Sequence, residues 1–379
     1  MKKEEKMVAE RKSERKPGFV SMGELKMNTS VRIKAPSSSF PKSIPRIYKN
    51  KTRNIKKIML IIDEANINLL HEITNNSEWG YQINYILTDS NWIRNRYWTF
   101  SRIYPMSVNV AGILRYDVID EIICCTSNIS NDYIKKLALL CCQYGVTLLF
   151  MPTITNQLPL AAHAHVGNQI FSVIESTPIN DLAYTVKKGI EFLFSAFVLI
   201  GFSWLFALIA ILIKSTSPGP VFFKQLRVGL RGRKFWIYKF RTMEDGADAK
   251  KESLKHLNQS DGLFKIHNDP RITKVGKYLR KFNLDELPQL FNVITGDMSL
   301  IGPRPMLPSE VDDQKDWQLK RFSVKPGITG LWQIQRNRNE IPFNMGMKLD
   351  KQYVENWSFA NDIALFFQTI WTIISGNGR

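Results

Sequence analysis

The feature that most constrains this chain is an unbroken run of 22 uncharged residues, FLFSAFVLIGFSWLFALIAILI, from Phe192 to Ile213. As one straight helix the run is about 33 Å long, enough to cross the hydrocarbon core of a bilayer. A helix on the core of a soluble protein usually keeps a polar side, whereas this run is apolar on all faces. The sequence therefore predicts a membrane-inserted segment within residues 187–216.

Both ends of the apolar run are basic. The flanking cations are Lys187 and Lys188 before it and Lys214, Lys224, Arg227, Arg231, Arg233 and Lys234 after it. A crossing helix places one cluster outside the cell, although short basic loops tend to stay in the cytoplasm. A re-entrant segment that bends at Gly201 and Ser203 keeps both clusters inside, because these residues permit a bend. The charges favour the re-entrant form, and a single crossing stays open; either topology allows residues 217–379 to lie on the cytoplasmic face.

The positive charge of the chain is concentrated at its start. The formal net charge is +18 over 379 residues, and residues 1–57 hold 17 Lys and Arg against 5 Glu. A basic segment that is also rich in Ser and Pro is typical of a disordered arm attracted to anionic surfaces. Residues 1–56 are therefore predicted to be a disordered basic leader, and a solvated tail without a dedicated partner is an equally good interpretation.

Residues 57–165 alternate apolar runs with helical patterns. The predicted strands are KIMLII, YQINYIL, DEIICCT and VTLLFMP, with a helix NDYIKKLALLCCQYG between the last two. This rhythm is typical of a parallel sheet with crossover helices. The turn after the first strand, IIDEANINLLHEI, has no glycine where a dinucleotide pyrophosphate needs close backbone approach. The sequence predicts a Rossmann-like domain with a structural or regulatory role, followed by a linker over residues 166–186.

The four cysteines form two adjacent pairs, Cys124 with Cys125 and Cys141 with Cys142. Neither pair has the CxxC spacing of a metal site, and a small disulfide-linked scaffold does not use this arrangement. We therefore expect reduced, buried thiols in a domain that faces the cytoplasm.

A carboxylate pair, Asp285 and Glu286, stands shortly before Pro288. Proline is tolerated in a helix only near its start, so the helix cap is predicted at Asp285 or later, which places the pair at or just before the helix start. Taken alone, the pair is explained by helix capping and by the helix dipole, an effect of about 1 kcal/mol.

The surrounding cations point to more than capping. They are Arg280 and Lys281 upstream, Arg304 in a Gly-Pro-Arg-Pro turn downstream, and Lys239 and Arg241, which alternate on one face of the predicted strand FWIYKFRTM. An anionic nucleophile approaches an anionic phosphorus only if the charge is screened. Cations around a carboxylate pair therefore favour a site that holds a phosphate together with a divalent ion.

Seven motifs that follow the apolar run occur together in one known family. They are SPGPVFFKQ, KFRTM, DPRIT, LDELPQL, GDMSLIGPRP, KPGITGLWQ and YVENWS. From about Lys187 to the C-terminus the chain resembles the bacterial sugar transferases, which are monotopic phosphoglycosyl transferases. The resemblance implies an α/β protein whose Rossmann-like domain precedes a re-entrant membrane helix and a mostly helical α+β catalytic domain, residues 217–379.

The resemblance also implies a reaction and a site. Family members move a sugar phosphate from a nucleotide diphosphate sugar, typically UDP-linked, to a polyprenyl phosphate at the cytoplasmic face of the bacterial inner membrane. Asp285 corresponds to the nucleophile and Glu286 to the Mg²⁺ ligand. The implied substrate-binding and phosphate-binding residues are Arg280, Lys239, Arg241, Arg304, Gln289, Asp362 and Arg338, with Arg336 as the alternative to Arg338.

The chain departs from the family pattern near the membrane segment. Ser203 is followed by Trp204 where the family commonly has a Ser-Pro hinge, and Glu191 replaces an aspartate.

Two other functions are weighed beside the transferase. An inactive, membrane-tethered scaffold is disfavoured by the intact carboxylate pair, and a nucleic-acid binder lacks a recognisable motif. A homodimer through the Rossmann-like domain is compatible with the sequence.

Overall fold

The computed structural model describes most of the chain from residue 55 onward. The described residues are 55–99, 101–126, 129–151, 162–167, 169–174, 182–247, 254, 266, 269–311, 314, 316–335 and 341–374. The basic leader and both arginines proposed for the loop after GLWQ, Arg336 and Arg338, lie outside them.

The N-terminal sheet module, residues 56–174, is built on one seven-stranded sheet. Its strands are β1 (Lys56–Ile62), β2 (Tyr81–Leu87), β3 (Arg102–Tyr104), β4 (Glu121–Cys125), β5 (Thr147–Phe150), β6 (Ala162–Val166) and β7 (Gln169–Ile174). The order is β3-β2-β1-β4-β5-β7-β6, and the first five strands run parallel. The four strands predicted from apolar runs are confirmed, and the Rossmann-like order of the parallel strands follows from their crossover helices.

Most of the α-helices described in the module begin at side-chain caps. They are α1 (Ile67–Asn75), α2 (Asn91–Tyr97), α3 (Val110–Tyr116) and α4 (Asn131–Tyr144). Ser90, Asn109 and Ser130 each accept a hydrogen bond from a backbone N–H in the first turn of α2, α3 and α4. Gly145 ends α4 with φ of 73°, a conformation that glycine adopts without strain. The predicted helix between the last two strands is therefore confirmed.

The sheet extends beyond the boundary expected at residue 165. β7 runs antiparallel to both β5 and β6, so β6 and β7 form a hairpin on the edge of the parallel sheet. Sequence reasoning missed this hairpin because its first strand, AHAHV, is short and only weakly apolar. The module therefore ends at about Ile174, within the segment assigned to a linker.

The cysteines lie in the module as expected. Cys124, Cys125 and Cys141 are buried, Cys142 is half-buried, and all four are free thiols. Burial raises the pKa of Cys124 and of Cys125 to about 12, so both are neutral at physiological pH. Neutral buried thiols act as small apolar side chains in the core.

The apolar run forms two helices that meet at a sharp bend. These are α5 (Leu182–Gly201) and α6 (Ser203–Thr216), with Phe202 between them and a bend of 60°. The predicted bend position is confirmed. Among the described residues no single helix has the length and apolarity to cross a membrane, whereas this bent pair passes that test as a unit. Large apolar side chains on both helices face outward, among them Ile200 at 76% and Trp204 at 63% exposure.

The C-terminal unit, residues 182–374, continues from these helices with short elements. They are β8 (Phe222–Val228), β9 (Lys234–Phe240), α7 (Lys274–Lys281), α8 (Leu290–Thr295), β10 (Ser299–Ile301), α9 (Pro308–Val311), β11 (Gly327–Thr329), α10 (Phe343–Glu355) and α11 (Phe359–Ile374). β8 and β9 form an antiparallel hairpin, and β10 pairs in parallel with β11. The unit is mostly helical with two small sheets, in line with the expected α+β architecture.

A buried charge network, formed by Lys187, Glu191, Asp362 and Tyr353, fixes the base of α5. The Lys187 ammonium lies 2.5 Å from Asp362 Oδ2 and 3.5 Å from Glu191 Oε1, and it donates to the Ile301 carbonyl oxygen at 2.9 Å. Tyr353 donates to Asp362 Oδ1 and to the same carbonyl oxygen. Buried charges persist only when they are paired in this way. The network joins α5, β10, α10 and α11.

We predict that Lys187→Met lowers the free energy of unfolding by about 3–5 kcal/mol, because two carboxylates then stay buried without their cation. The matched control is Lys351→Met, which removes a half-exposed ion pair with Glu355 and should cost at most about 0.5 kcal/mol. Chemical denaturation in detergent micelles measures both. Equal effects of the two substitutions would contradict the stabilising role of the network.

Candidate active site

The predicted carboxylate pair faces the β8–β9 hairpin. Lys239 on β9 donates from Nζ to Glu286 Oε1 at 2.9 Å, with both side chains about four-fifths buried. Asp285 is 4% exposed. The structure therefore brings Lys239 together with the carboxylate pair, as the sequence predicted.

Asn292, which sequence reasoning missed, connects the carboxylate segment to β9. Its side chain donates to the Trp236 carbonyl oxygen at 2.7 Å and accepts from the Tyr238 backbone N–H at 3.2 Å. Asn292 is 1% exposed in the apolar stretch LFNVI. A polar residue inside an apolar helix was the available sequence signal, because a buried amide needs hydrogen-bond partners.

The backbone before the pair is in an unusual conformation. Asn283 has φ of 52° and ψ of 21°, the left-handed region that residues other than glycine rarely adopt. The chain then forms a 3₁₀ helix, Leu284–Gln289, which leads into α8. The 3₁₀ helix has its N-cap at Asn283, two residues before the earliest cap expected, whereas α8 has its N-cap at Gln289, within the expectation. Pro288 is tolerated because the segment is a short 3₁₀ turn, in which an α-helical hydrogen bond is not required.

Arg280 lies at the end of α7, close to the pair in the chain. Its Nε donates to Thr242 Oγ1 at 2.9 Å, and the Thr242 carbonyl oxygen accepts from the Thr273 N–H at 3.0 Å. α7 approaches Thr242 so closely that a Cβ on Gly276 would come within 2.1 Å of the Thr242 carbonyl oxygen. The close contact places the guanidinium of Arg280 against the segment that follows β9.

The start of α7 is fixed by a second buried ion pair, within the motif DPRIT. Arg271 donates to both oxygens of Asp269, at 2.8 and 2.5 Å, and to the Ala247 carbonyl oxygen at 3.1 Å. The side-chain hydrogen bond from Arg271 holds the pKa of Asp269 below its ordinary value. The pair is therefore ionised at neutral pH and ties α7 to the loop after β9.

The predicted phosphate-binding residue Arg304 lies in a turn between β10 and α9. Its guanidinium lies over the Trp332 ring, 5.5 Å from the centroid. Its carbonyl oxygen accepts from Arg321, which pairs with the buried Asp350 at 2.7 Å. Trp332 belongs to the motif KPGITGLWQ, and sequence reasoning did not single it out. The contact with the aromatic ring holds the planar guanidinium of Arg304 in one orientation.

Arg241 and Asp362, two of the predicted substrate-binding and phosphate-binding residues, have partners within the protein. Arg241 donates to the carbonyl and hydroxyl oxygens of Ser217, both at 2.8 Å, and to the Pro218 carbonyl oxygen. β9 ends at Phe240, so the alternation that was expected to align Arg241 with Lys239 stops before it. Asp362 belongs to the buried charge network at the base of α5. Gln289 is 2% exposed at the end of the 3₁₀ helix.

The described residues contain no group of three or more His, Cys, Asp and Glu side chains that converges as a metal cage. Mg²⁺ is commonly held by one or two carboxylates together with substrate phosphates and water. The Glu286 carboxylate is partly exposed and contacts Lys239, and a carboxylate is the type of oxygen ligand that Mg²⁺ takes. The residues present therefore fit a Mg²⁺ ion that is bound together with a phosphate substrate.

Comparison with known proteins identifies what the C-terminal unit is similar to. A family model described as "Bacterial sugar transferase" matches residues 182–376. The chain is 49% identical over 161 residues to "Galactosyl transferase CpsE" of Streptococcus agalactiae, a match that covers 42% of this chain and 36% of that protein.

Two further relatives extend the comparison. "Exopolysaccharide production protein ExoY" of Rhizobium meliloti is 37% identical over 209 residues, 54% of this chain and 92% of that protein. "UDP-N-acetylgalactosamine-undecaprenyl-phosphate N-acetylgalactosaminephosphotransferase" of Aeromonas hydrophila is 38% identical over 231 residues, 60% of this chain and 51% of that protein. The chain therefore spans nearly all of one relative, about half of another and about a third of the other.

We predict that Asn283→Ala lowers the free energy of unfolding by about 1 kcal/mol more than Asn283→Gly, because only glycine adopts the left-handed conformation without strain. Both substitutions remove the same side-chain contacts. The difference between the unfolding free energies of the two variants therefore reports the cost of the backbone conformation. At Gln352, an exposed position inside α10, the order should reverse, with alanine more stable by about 1 kcal/mol. Thermal unfolding of the four variants shows which of alanine and glycine is the more stable at each position. If the same residue is the more stable at both positions, the left-handed conformation of Asn283 is contradicted.

Proposed function

The chain belongs to the bacterial sugar transferase family, and on this basis we propose that it transfers a sugar 1-phosphate from a nucleotide sugar to a polyprenyl phosphate. Two observations support a UDP-linked donor and an undecaprenyl phosphate acceptor. One relative carries both in its name, and the seven motifs resemble those of phosphoglycosyl transferases throughout the C-terminal unit. The product is the first membrane-bound intermediate of a surface polysaccharide or glycoconjugate.

The observation that carries the proposal is the buried carboxylate pair with its cations. Asp285 and Glu286 stand on one 3₁₀ turn, with Lys239 against Glu286. Arg280 and Arg304 are further cations of the same unit. Arginine and lysine donors neutralise the phosphate oxygens of a bound diphosphate, which otherwise repel an incoming carboxylate.

The proposed reaction consists of two displacements at one phosphorus atom. A carboxylate oxygen of Asp285 attacks the phosphorus that bears the sugar, and the bond from that phosphorus to the oxygen of UMP breaks. The resulting aspartyl phosphosugar is an acyl phosphate, a mixed anhydride that readily gives up its phosphoryl group. An oxygen of the polyprenyl phosphate then attacks the same phosphorus, the bond to Asp285 breaks, and the carboxylate is regenerated. Two successive displacements imply ping-pong kinetics.

Glu286 is the proposed ligand of a Mg²⁺ ion, with substrate phosphate oxygens completing the site. When bound, such an ion neutralises negative charge on the phosphates. Lys239 supplies a fixed positive charge beside the same carboxylate. Arg304, held over Trp332, is the proposed partner of the diphosphate, because a planar guanidinium matches two phosphate oxygens at once.

We further propose that α5 and α6 enter the bacterial inner membrane and return to the cytoplasmic face. Support comes from the 60° bend, the outward apolar side chains and the basic residues at both ends. The bend forms at Phe202 without a proline, so Gly201 supplies the adaptable backbone. The buried charge network keeps the start of α5 against the C-terminal unit. A re-entrant helix pair thereby keeps the site beside the lipid headgroups that carry the acceptor phosphate.

We predict that the protein, incubated in membranes with Mg²⁺, a polyprenyl phosphate and a panel of UDP-sugars, releases UMP with at least one sugar. Asp285→Asn should reduce this release by at least about 10³-fold, because an amide cannot serve as the phosphoryl acceptor. Omission of the lipid should leave a mass increase of one phosphosugar on the protein, located at Asp285.

The matched control is Asp297→Asn, an exposed carboxylate that follows α8 and accepts from Thr295. It should keep activity close to that of the unchanged protein. Full activity of Asp285→Asn would reject the assigned nucleophile. If the unchanged protein releases no UMP with any sugar, the scaffold function replaces the transferase function.

We predict that EDTA abolishes UMP release and that added Mg²⁺ restores it. Glu286→Gln should raise the Mg²⁺ concentration for half-maximal activity at least about tenfold, a loss typical even of residues that only support a metal ligand. Glu355→Gln removes a surface carboxylate on α10 and should leave the Mg²⁺ dependence unchanged. A Mg²⁺ titration of the three proteins measures the shift, and identical curves would exclude Glu286 as a ligand.

A further inference from the structure

The N-terminal sheet module and the C-terminal unit share one apolar core. Its buried members from the module include Leu114, Ile134, Leu137, Cys141, Tyr144 and Val146, and those from the C-terminal unit are Val228, Met306, Leu319, Phe322 and Met347. Domains that merely sit side by side usually meet through a smaller and more polar interface. The module is therefore part of the body that carries the candidate site, and Met306 in this core lies two residues after Arg304.

An ion cluster, formed by the buried Asp120 with Arg231 and the half-exposed Arg233, lies beside this core. Asp120, directly before β4, is 3% exposed. Its Oδ1 accepts from Arg231 at 3.0 Å and from Arg233 at 2.7 Å, and its Oδ2 accepts from Arg233 at 2.7 Å and from the Lys57 N–H at 2.9 Å. Four accepted bonds satisfy the carboxylate fully, two of them forming the bidentate arginine geometry.

Asp120 stays ionised although it is buried. Burial acts to raise the pKa of Asp120, but the hydrogen bond and charge of Arg233, the charge of Arg231 and the Lys57 N–H together hold that pKa below its ordinary value. A charged hydrogen-bonded contact of this kind is strong and directional. It therefore fixes the position of the two arginines relative to the module, rather than only drawing them near it.

Both arginines belong to the connection between β8 and β9. Arg231 is in the left-handed region, with φ of 54°, and its Nε also donates to the Gly145 carbonyl oxygen at 2.8 Å. A non-glycine residue keeps this conformation only when its surroundings hold it there. Asp120 and Gly145, both in the module, provide these contacts. The shape of the β8–β9 turn thus depends on the module.

The β8–β9 hairpin connects the turn that the module holds to the candidate site. At the end of β8, the Val228 N–H donates to the Met306 carbonyl oxygen at 2.8 Å, and Arg227 donates to the Pro305 carbonyl oxygen at 3.1 Å. These two acceptors directly follow Arg304. The other strand, β9, carries Lys239. The β8–β9 turn therefore lies between the module and two cations of the candidate site. Lys239 follows the turn on β9, and the segment after Arg304 is bonded to β8 by the Val228 N–H and the Arg227 guanidinium.

We propose that Asp120 is a positioning residue that sets the place of Arg304 through the β8–β9 hairpin and thereby sets the affinity for the diphosphate of the nucleotide sugar. The inference rests on the proposed function for the identity of the ligand. It gives the Rossmann-like module a role in substrate binding that requires no nucleotide of its own. Asp120 touches no substrate, and its effect passes through the backbone bonds at Pro305 and Met306.

The test compares Asp120→Asn with Asp117→Asn in the full-length protein. Asp117 lies in the same module but pairs with Arg102 and Tyr85 instead of with Arg231 and Arg233. Asp120→Asn should raise KM for the UDP-sugar about tenfold, the size of a typical coupling between separated sites, with kcat within about twofold. Arg233→Gln, a milder change at a half-exposed side chain, should raise KM in the same direction. Asp117→Asn should leave both constants unchanged.

A positioning role and a simple loss of stability change different kinetic constants, so measuring both KM and kcat distinguishes them. A variant that only unfolds in part has fewer active molecules, so its apparent kcat falls while its KM stays the same. An unchanged KM in both Asp120→Asn and Arg233→Gln, with or without a fall in kcat, would overturn the proposal.

Hydrogen–deuterium exchange provides a readout that does not depend on activity. In Asp120→Asn, peptides covering residues 226–233 and 303–307 should exchange faster, while α4 keeps its protection. Faster exchange of α4 to the same extent would indicate a general loss of module stability and would overturn the proposal. If the unchanged protein shows no UMP release, the proposed function fails, and the exchange experiment still decides whether Asp120 positions the turn of Arg304.

Discussion

The pairing of the buried Lys187 ammonium is the interaction on which the rest of the structure depends. A lysine at the base of an apolar helix is stable inside a protein only if anionic and carbonyl oxygens surround it, and Asp362, Glu191 and the Ile301 carbonyl oxygen do so. These partners come from three separate parts of the chain. The need to neutralise one charge therefore fixes the bent helix pair, β10 and α11 in a single arrangement.

The segment around Arg304 is held by hydrogen bonds on both sides. Ile301, which accepts from Lys187, lies three residues before Arg304, and Pro305 and Met306, which accept from β8, directly follow it. The turn of Arg304 is thus held on one side by the helix pair and on the other by the hairpin attached to the N-terminal sheet module. For Arg304 as the proposed partner of the diphosphate this rigidity is favourable, because a well-placed donor needs no reorganisation when the ligand binds.

Local patterns in the sequence predicted much of the fold and part of the site. Alternation of apolar runs and helical periods located the five core elements of the module, and Gly201 with Ser203 located the bend, because each depends on neighbouring residues only. The carboxylate pair and Lys239 were found in the same way. The hairpin at the edge of the sheet was missed, since the strand AHAHV derives its conformation from pairing with β7 rather than from its own composition.

The amino-acid sequence by itself determined the apolar segment, the parallel sheet and the residue types that phosphate chemistry requires, because these are properties of short stretches of chain. Only the tertiary structure decided which partners the charged side chains have: Lys239 contacts Glu286, Arg241 donates to Ser217, and Asp362 pairs with Lys187. It also decided that Asp120 and the arginines of the β8–β9 turn form one cluster. Long charged side chains of the same type have the same local sequence signal, and their partners are selected by contacts between residues far apart in the chain.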